Sequence, residues 1–145
     1  MKKIINVFIY CTVKLIQISL MIGMFVLQNL THKSAGVNHH LYYRKAQYNL
    51  KYFTDINVMS AKIVIILLII FILIFLFKNI NKINKLQKIE IGLIILWSIL
   101  ILITFSLSYF NKLLVYPYLL LAEFISLSLE AICLTFISKK MINKS

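Results

Sequence analysis

Residues 62 to 77 read KIVIILLIIFILIFLF, and this stretch decides the fold. No side chain from Ile63 to Phe77 is polar. A helix that is apolar on every side can lie against lipid without a specific partner. A bilayer core of about 30 Å takes roughly 20 helical residues to cross. The stretch therefore predicts a membrane-spanning helix over 57–77 that mostly faces lipid.

Three further apolar stretches are long enough to cross a bilayer, at 5–30, 89–109 and 118–138. They lack the period-two alternation of barrel strands, and only helices or closed barrels satisfy the backbone in lipid. The sequence therefore predicts an all-α, polytopic membrane protein. We expect four transmembrane helices in one bundle and a single integral membrane domain over 1–145.

Composition supports lipid as the solvent. Of the 145 residues, 61% are hydrophobic and 14% are charged, against about 45–50% and about 25% in soluble domains. The net charge of +12 favours loops that face anionic lipid headgroups over binding to nucleic acid. Both cysteines, Cys11 and Cys133, fall inside apolar stretches, which argues against a disulfide scaffold.

Lysine and arginine counts predict the orientation. Nine basic residues flank the spans on the side of the termini and the 78–88 loop, and five lie on the side of the 31–56 loop. The positive-inside rule therefore places both termini in the cytoplasm and predicts a multi-pass protein of the cell membrane. Four lysines of the cytoplasmic loop are expected to contact lipid headgroups: Lys78, Lys82, Lys85 and Lys88.

The fourth span carries two acids, Glu123 and Glu130, within LLLAEFISLSLEAICLTFIS at 119–138. On insertion scales each central acid costs about 2.5–3.5 kcal/mol, which together nearly cancel the roughly 5 kcal/mol from the apolar residues. We therefore expect this span to enter the membrane as a hairpin with the third, through a link near Asn111 and Lys112. Helical spacing predicts one polar face, composed of Tyr116, Glu123, Ser126, Glu130 and Cys133.

Two other spans also have polar faces. The face of the first span contains Tyr10, Lys14, Gln17, Met21, Met24 and Gln28, and that of the third contains Trp97, Ile101, Thr104 and Ser108. Depth in the bilayer predicts an ion pair between Lys14 and Glu130, with Glu123 nearer Gln17, Met21 or Met24. Glu90 is predicted to be a boundary residue in the first turn of the third span.

The intramembrane ionisable and polar residues are the first candidate site: Lys14, Gln17, Glu123, Ser126 and Glu130. Such groups usually face the bundle interior, pair with one another or line a polar path. Three interpretations stay open. The acids can hold the bundle together, with Glu123 protonated and hydrogen-bonded to a hydroxyl; Lys14 can extend to the inner headgroups; or Glu123 and Glu130 can form a proton or cation pathway.

The 31–56 loop is the second candidate site, with a short interfacial helix expected over 41–53. Its aromatic and basic residues are Tyr42, Tyr43, Arg44, Lys45, Tyr48 and Tyr52. They can form an aromatic belt at the headgroups or a recognition patch for an outer ligand, since Tyr and Arg anchor interfaces. Three histidines nearby, His32, His39 and His40, have no clustered acid or cysteine, so we expect no metal site.

No metalloprotease HExxH, nucleophile elbow, phosphate loop or dinucleotide fingerprint occurs, so we expect neither an enzyme nor a cofactor. In size, charge and number of spans the chain is similar to small immunity proteins that guard a bacterial membrane against pore-forming toxins. That resemblance implies a non-enzymatic, protective protein whose polar faces contact a membrane-inserted toxin or another membrane protein, besides lipid. The alternative is a small proton- or cation-coupled transporter, or an accessory subunit of a membrane complex, that uses Glu123 and Glu130.

Overall fold

The computed structural model describes the backbone of residues 2–79 and 83–142, and side chains over 10–79 and 83–136. This part of the chain is helical and contains no strand. The helices are α1 (Lys2–Lys33), α2 (Ala35–Lys51), α3 (Asp55–Asn79), α4 (Lys85–Ser106), α5 (Ser108–Lys112) and α6 (Tyr116–Ile142). The all-α fold class is confirmed.

Four of these helices are long and apolar enough to cross a membrane, which confirms the four predicted spans. The candidate spans are Tyr10–Lys33 in α1, Asp55–Asn79 in α3, Lys85–Ser106 in α4 and Tyr116–Phe136 in α6. The chain is therefore a multi-pass, membrane-spanning bundle. Pro117 lies in the first turn of α6, where proline's missing N–H costs nothing.

Helix α4 begins earlier than predicted and ends earlier. It starts at Lys85, where the Gln87 side chain accepts a hydrogen bond from the Asn84 backbone N–H at 3.1 Å. It ends at Ser106, because Leu107 takes an extended backbone conformation before α5. Ser108 therefore does not continue the polar face of the third span but is exposed at the start of α5.

The predicted 78–88 loop is shorter in the structure. Lys78 lies in the last turn of α3, and Lys85 and Lys88 lie in the first turns of α4. Lys82, the fourth predicted headgroup contact, lies outside the described residues.

Helix α6 organises the bundle. It packs along α4 over much of its length and also contacts α1, while α3 packs against α4. The central apolar cluster joins three spans and consists of Ile65, Ile101, Tyr116 and Leu120. The adjacency of α4 and α6 is the arrangement expected of an inserted hairpin.

Helix α3 lies at the edge of the bundle. Ile65 is its one buried residue among those described, and large side chains such as Leu67, Phe71 and Phe77 are exposed. An exposed apolar surface of this extent needs a nonpolar surrounding. The predicted lipid-facing character of this helix therefore agrees with its packing.

Candidate functional site

The polar face of α6 is buried. All five residues of the predicted face are buried: Tyr116, Glu123, Ser126, Glu130 and Cys133. Residues on the opposite side of the same turns, such as Leu121, Ile125 and Ile132, are exposed. The acids therefore face the interior of the bundle, as their helical spacing predicts.

The polar face of α1 turns toward α6. Its six residues are buried or half-buried: Tyr10, Lys14, Gln17, Met21, Met24 and Gln28. Their neighbours Leu15, Ile18 and Phe25 are exposed. Polar side chains thus occupy the contact between the two helices, and apolar side chains cover the outside.

Polar contacts join α1 to α6 and to Val115, the residue before α6. The Lys14 ammonium forms an ion pair with the Glu130 carboxylate, which confirms the predicted contact. Gln17 Nε2 donates to the Ser126 carbonyl oxygen at 3.1 Å. Near the other end, the Val115 backbone N–H donates to Gln28 Oε1 at 3.4 Å. We call this row of contacts the polar seam.

Glu90 is the site residue that the sequence reasoning missed. It was predicted to be a boundary residue in a first helical turn, and that prediction is wrong. Because α4 begins at Lys85, Glu90 lies in the second turn, and its side chain is only 1% exposed. Its spacing was a usable signal, since Glu90 precedes Trp97, Ile101 and Thr104 on one helical face.

Glu90 completes an ionic cluster of three helices. Its Oε2 lies 3.5 Å from Lys14 Nζ, and its carboxyl group also neighbours the Glu130 carboxyl and the Tyr10 hydroxyl. The Lys14 ammonium stands 4.8 Å from the centre of the Tyr10 ring. Charged groups in the membrane core are costly unless they are paired. One ammonium therefore serves two acids from α4 and α6.

Glu123 has a different environment. The Thr104 hydroxyl of α4 lies 2.8 Å from Glu123 Oε1. The expectation from depth, which placed Glu123 nearest Gln17, Met21 or Met24, misses this partner. The separate interpretation in which Glu123 contacts a hydroxyl agrees with it. Two buried oxygens nearby, Glu123 Oε2 and Ser126 Oγ, have no hydrogen-bond partner among the described residues. Unlike Glu130, Glu123 therefore has no cation at its carboxyl group among the described contacts.

Helix α2 divides the second candidate site in two. It spans Ala35–Lys51, longer than the predicted 41–53. On its inner side, Lys45 Nζ donates to the Asn111 carbonyl oxygen at 2.5 Å, and the Tyr48 ring packs edge-on against Tyr118 at 6.1 Å. Partial burial lowers the pKa of Lys45. These residues attach α2 to the end of the bundle.

The outer side of α2 exposes the remaining candidate residues. Tyr42 and Tyr43 are 65% and 60% exposed, and Arg44 is exposed beside them. Tyr52 is half-exposed and packs against Tyr48 at 5.8 Å between ring centres. A shallow depression of about 570 Å³ lies next to this side and is lined by Lys33, His39 and Tyr42 among others.

Metal-ligating side chains do not cluster in the described part of the chain. No group of three histidine, cysteine or acidic residues there is close enough to hold a metal ion. Cys11 is exposed and Cys133 is buried, and both are free thiols.

Comparison with known proteins finds no family model, curated protein or solved structure that matches this chain.

Proposed function

We propose that this chain is a non-enzymatic protein of the cell membrane that binds a membrane-inserted partner, in the manner of immunity proteins that protect a bacterium from a pore-forming toxin. The proposal is carried by one observation: the polar residues of the spans contact one another, while α2 presents tyrosines and an arginine outward.

The polar faces are occupied within the chain itself. Lys14 serves Glu90 and Glu130, Gln17 binds the backbone at Ser126, and Thr104 contacts Glu123. A partner helix could reach these groups only by opening the bundle. We therefore locate partner binding away from the polar faces that the sequence suggested.

The outer side of α2 is the better surface for a partner. Tyr42, Tyr43 and Arg44 combine rigid aromatic area with a charged group that binds carboxylates in two-pronged fashion. The helix contains no acidic residue, so a partner with acidic groups near the headgroup region complements it. Because Lys45 and Tyr48 attach α2 to α5 and α6, these outward residues are held in place before binding, which lowers the entropic cost.

The orientation belongs to the same proposal. The basic residues near the termini and in the 78–88 stretch favour a cytoplasmic location for that side. Helix α2 then lies at the outer surface of the membrane, where an incoming toxin first meets the cell.

The test is survival of a sensitive bacterial host that expresses the full chain. We expect protection against at least one member of a panel of pore-forming bacteriocins. We replace Tyr42, Tyr43 and Arg44 together with alanine. This change should lower the highest bacteriocin concentration that the host survives by about tenfold or more, which corresponds to about 1.4 kcal/mol of binding free energy. The matched control is Tyr109→Ala, since Tyr109 is an equally exposed tyrosine on α5. Absence of protection across the panel, or equal loss in the control, would overturn the proposal.

The transporter alternative has one observation in its favour, the buried Glu123 without a cation partner. Proton-coupled dye or cation efflux from the same cells separates the two functions. Efflux that Glu123→Gln abolishes supports transport. Protection that persists in Glu123→Gln, without efflux, supports binding.

A further inference from the structure

Thr104 has one hydroxyl hydrogen and two oxygen neighbours. Its Oγ1 lies 3.0 Å from the Leu100 carbonyl oxygen and 2.8 Å from Glu123 Oε1. A hydroxyl donates once and accepts through its lone pairs, and a carbonyl only accepts. Both contacts are full, two-centre hydrogen bonds at once only if Thr104 donates to Leu100 and Glu123 donates to Thr104; the alternative is one hydrogen shared weakly between two acceptors. An ionised carboxylate has no hydrogen to donate.

The other oxygen of Glu123 supports the same conclusion. Glu123 is 2% exposed, and its Oε2 has no hydrogen-bond partner. A buried negative charge with one hydrogen bond and no cation is far more costly than a neutral carboxyl group. Glu130 on the same helix shows the contrasting case of a buried acid with a cation. The Lys14 ammonium lies against its carboxyl group, and Glu90 is a second acid beside that ammonium.

Ser126 lies one helical turn from Glu123 on the same face of α6. Its hydroxyl is fully buried and also has no partner. Gln17 holds the Ser126 carbonyl oxygen and closes this side of the site from α1. The interior around Glu123 therefore holds a second polar group that forms no hydrogen bond with the other described residues, and no charge there compensates a carboxylate.

We propose that Glu123 is a proton-binding site in the membrane interior: its carboxyl group holds a proton at neutral pH and donates it in a hydrogen bond to the Thr104 hydroxyl. The ligand is the proton itself. The proposal does not depend on the identity of any protein partner. A reversible proton here would make the packing of α4 on α6 depend on pH.

Two sets of charged or titratable groups lie near the site. Tyr116 on α6 interacts electrostatically with Glu123. The ionic cluster, two helical turns along α6, contains Tyr10 and Lys14 on α1, Glu90 on α4, and Glu130 and Cys133 on α6. Lys14 is the one cation among them and is engaged by Glu90 and Glu130. The described surroundings therefore offer Glu123 no counterion, and neutralisation by a proton is the remaining way to bury it.

Infrared spectroscopy of the full chain in lipid vesicles tests the proposal. We expect a protonated-carboxyl stretch at neutral pH that disappears in Glu123→Gln and persists in the matched variant Glu130→Gln. Thr104→Val should keep the band but move it, because the acceptor of the proton is gone. A band that is absent from the wild-type protein, or that disappears with Glu130 and not with Glu123, would overturn the assignment.

A further measurement uses the wild-type protein alone, so it does not depend on how any variant folds. Raising the pH of intact wild-type vesicles should convert the band to the carboxylate form reversibly. A band that persists unchanged at high pH would show a permanently neutral group and not a binding site.

Discussion

Helices α3 and α6 are stabilised in the membrane in opposite ways. Helix α3 is apolar from Ile63 to Phe77 and has one buried residue among those described. Helix α6 carries two acids in a similar length and contacts four other helices. The first helix is stable in lipid by composition alone, whereas the second needs partners for its polar groups. The comparison shows that polarity within a span determines where a helix lies in the bundle.

The two helices should differ most in how well each span inserts into a membrane when it is tested alone. Fifteen apolar residues in α3 contribute roughly 5–9 kcal/mol of insertion free energy, while the acids of α6 cancel most of its favourable contribution. A translocation reporter carrying 57–77 should insert nearly completely, and one carrying 118–138 should insert poorly. Adding 89–109 ahead of the latter should raise insertion. Full insertion of the isolated fourth span would show that its acids do not need partners.

The next largest effect belongs to the ionic cluster. Lys14→Met leaves Glu90 and Glu130 buried without their shared cation, and breaking a buried pair in this way costs about 3–5 kcal/mol. Denaturant unfolding of the purified protein in detergent micelles measures this loss. The control is Lys62→Met on α3, since no ion pair involves Lys62 in the described part of the chain, and we expect it to change stability by less than about 1 kcal/mol.

Exchanging the charges of Lys14 and Glu130 tests whether their contact stabilises the protein. In Lys14→Glu combined with Glu130→Lys, the new ammonium still faces two acids, so the double variant should be more stable than Lys14→Glu alone. A double variant less stable than either single neutral variant, Lys14→Met or Glu130→Gln, would show that the contact is incidental.

The sequence predicted much of this arrangement because helical spacing is a local property. Four spans, three polar faces and the pairing of Lys14 with Glu130 follow from counting residues along a helix and matching depths in a bilayer. Glu90 was missed because its role depends on where α4 begins, and the capping contact between Asn84 and Gln87 adds a turn before it. A shift of four residues moves this acid from the boundary into the interior.

The partner of Glu123 was missed for a different reason. Spacing places Thr104 on the inner face of α4, but the rotation of α4 against α6 depends on packing of Ile101, Tyr116 and Leu120. Such packing follows from side-chain shapes along both helices together, and no single-helix pattern contains it. Similarly, the inner and outer sides of α2 depend on contacts with Asn111 and Tyr118 that are remote in sequence.

A smaller effect tests the packing of α3. Ile65→Ala removes the buried side chain that contacts the central cluster, whereas Ile66→Ala removes an exposed one. In soluble cores such a truncation costs about 2–5 kcal/mol, but lipid is itself apolar, so only packing is lost. We expect roughly 1–2 kcal/mol for Ile65 and nearly no change for Ile66 in micelle unfolding. Equal losses would place the second residue in a contact as well.

The smallest effect concerns the middle of the polar seam. Gln17→Leu removes the hydrogen bond to the Ser126 carbonyl oxygen, which is already engaged in the helix, while keeping side-chain volume. Hydrogen bonds between membrane helices average about 0.6 kcal/mol, so we expect a loss of that order in micelle unfolding, well below that of Lys14→Met. Gln28→Leu is the matched variant, and it should reduce stability somewhat more. The Val115 N–H lies at the start of α6, where no carbonyl of the helix can replace Gln28 as its acceptor. The Gln17 amide also lies beside the Glu130 carboxyl group. A loss at Gln17 as large as that at Lys14 would mean that this second contact dominates, and α1 would then be held by one cooperative network and not by separate contacts.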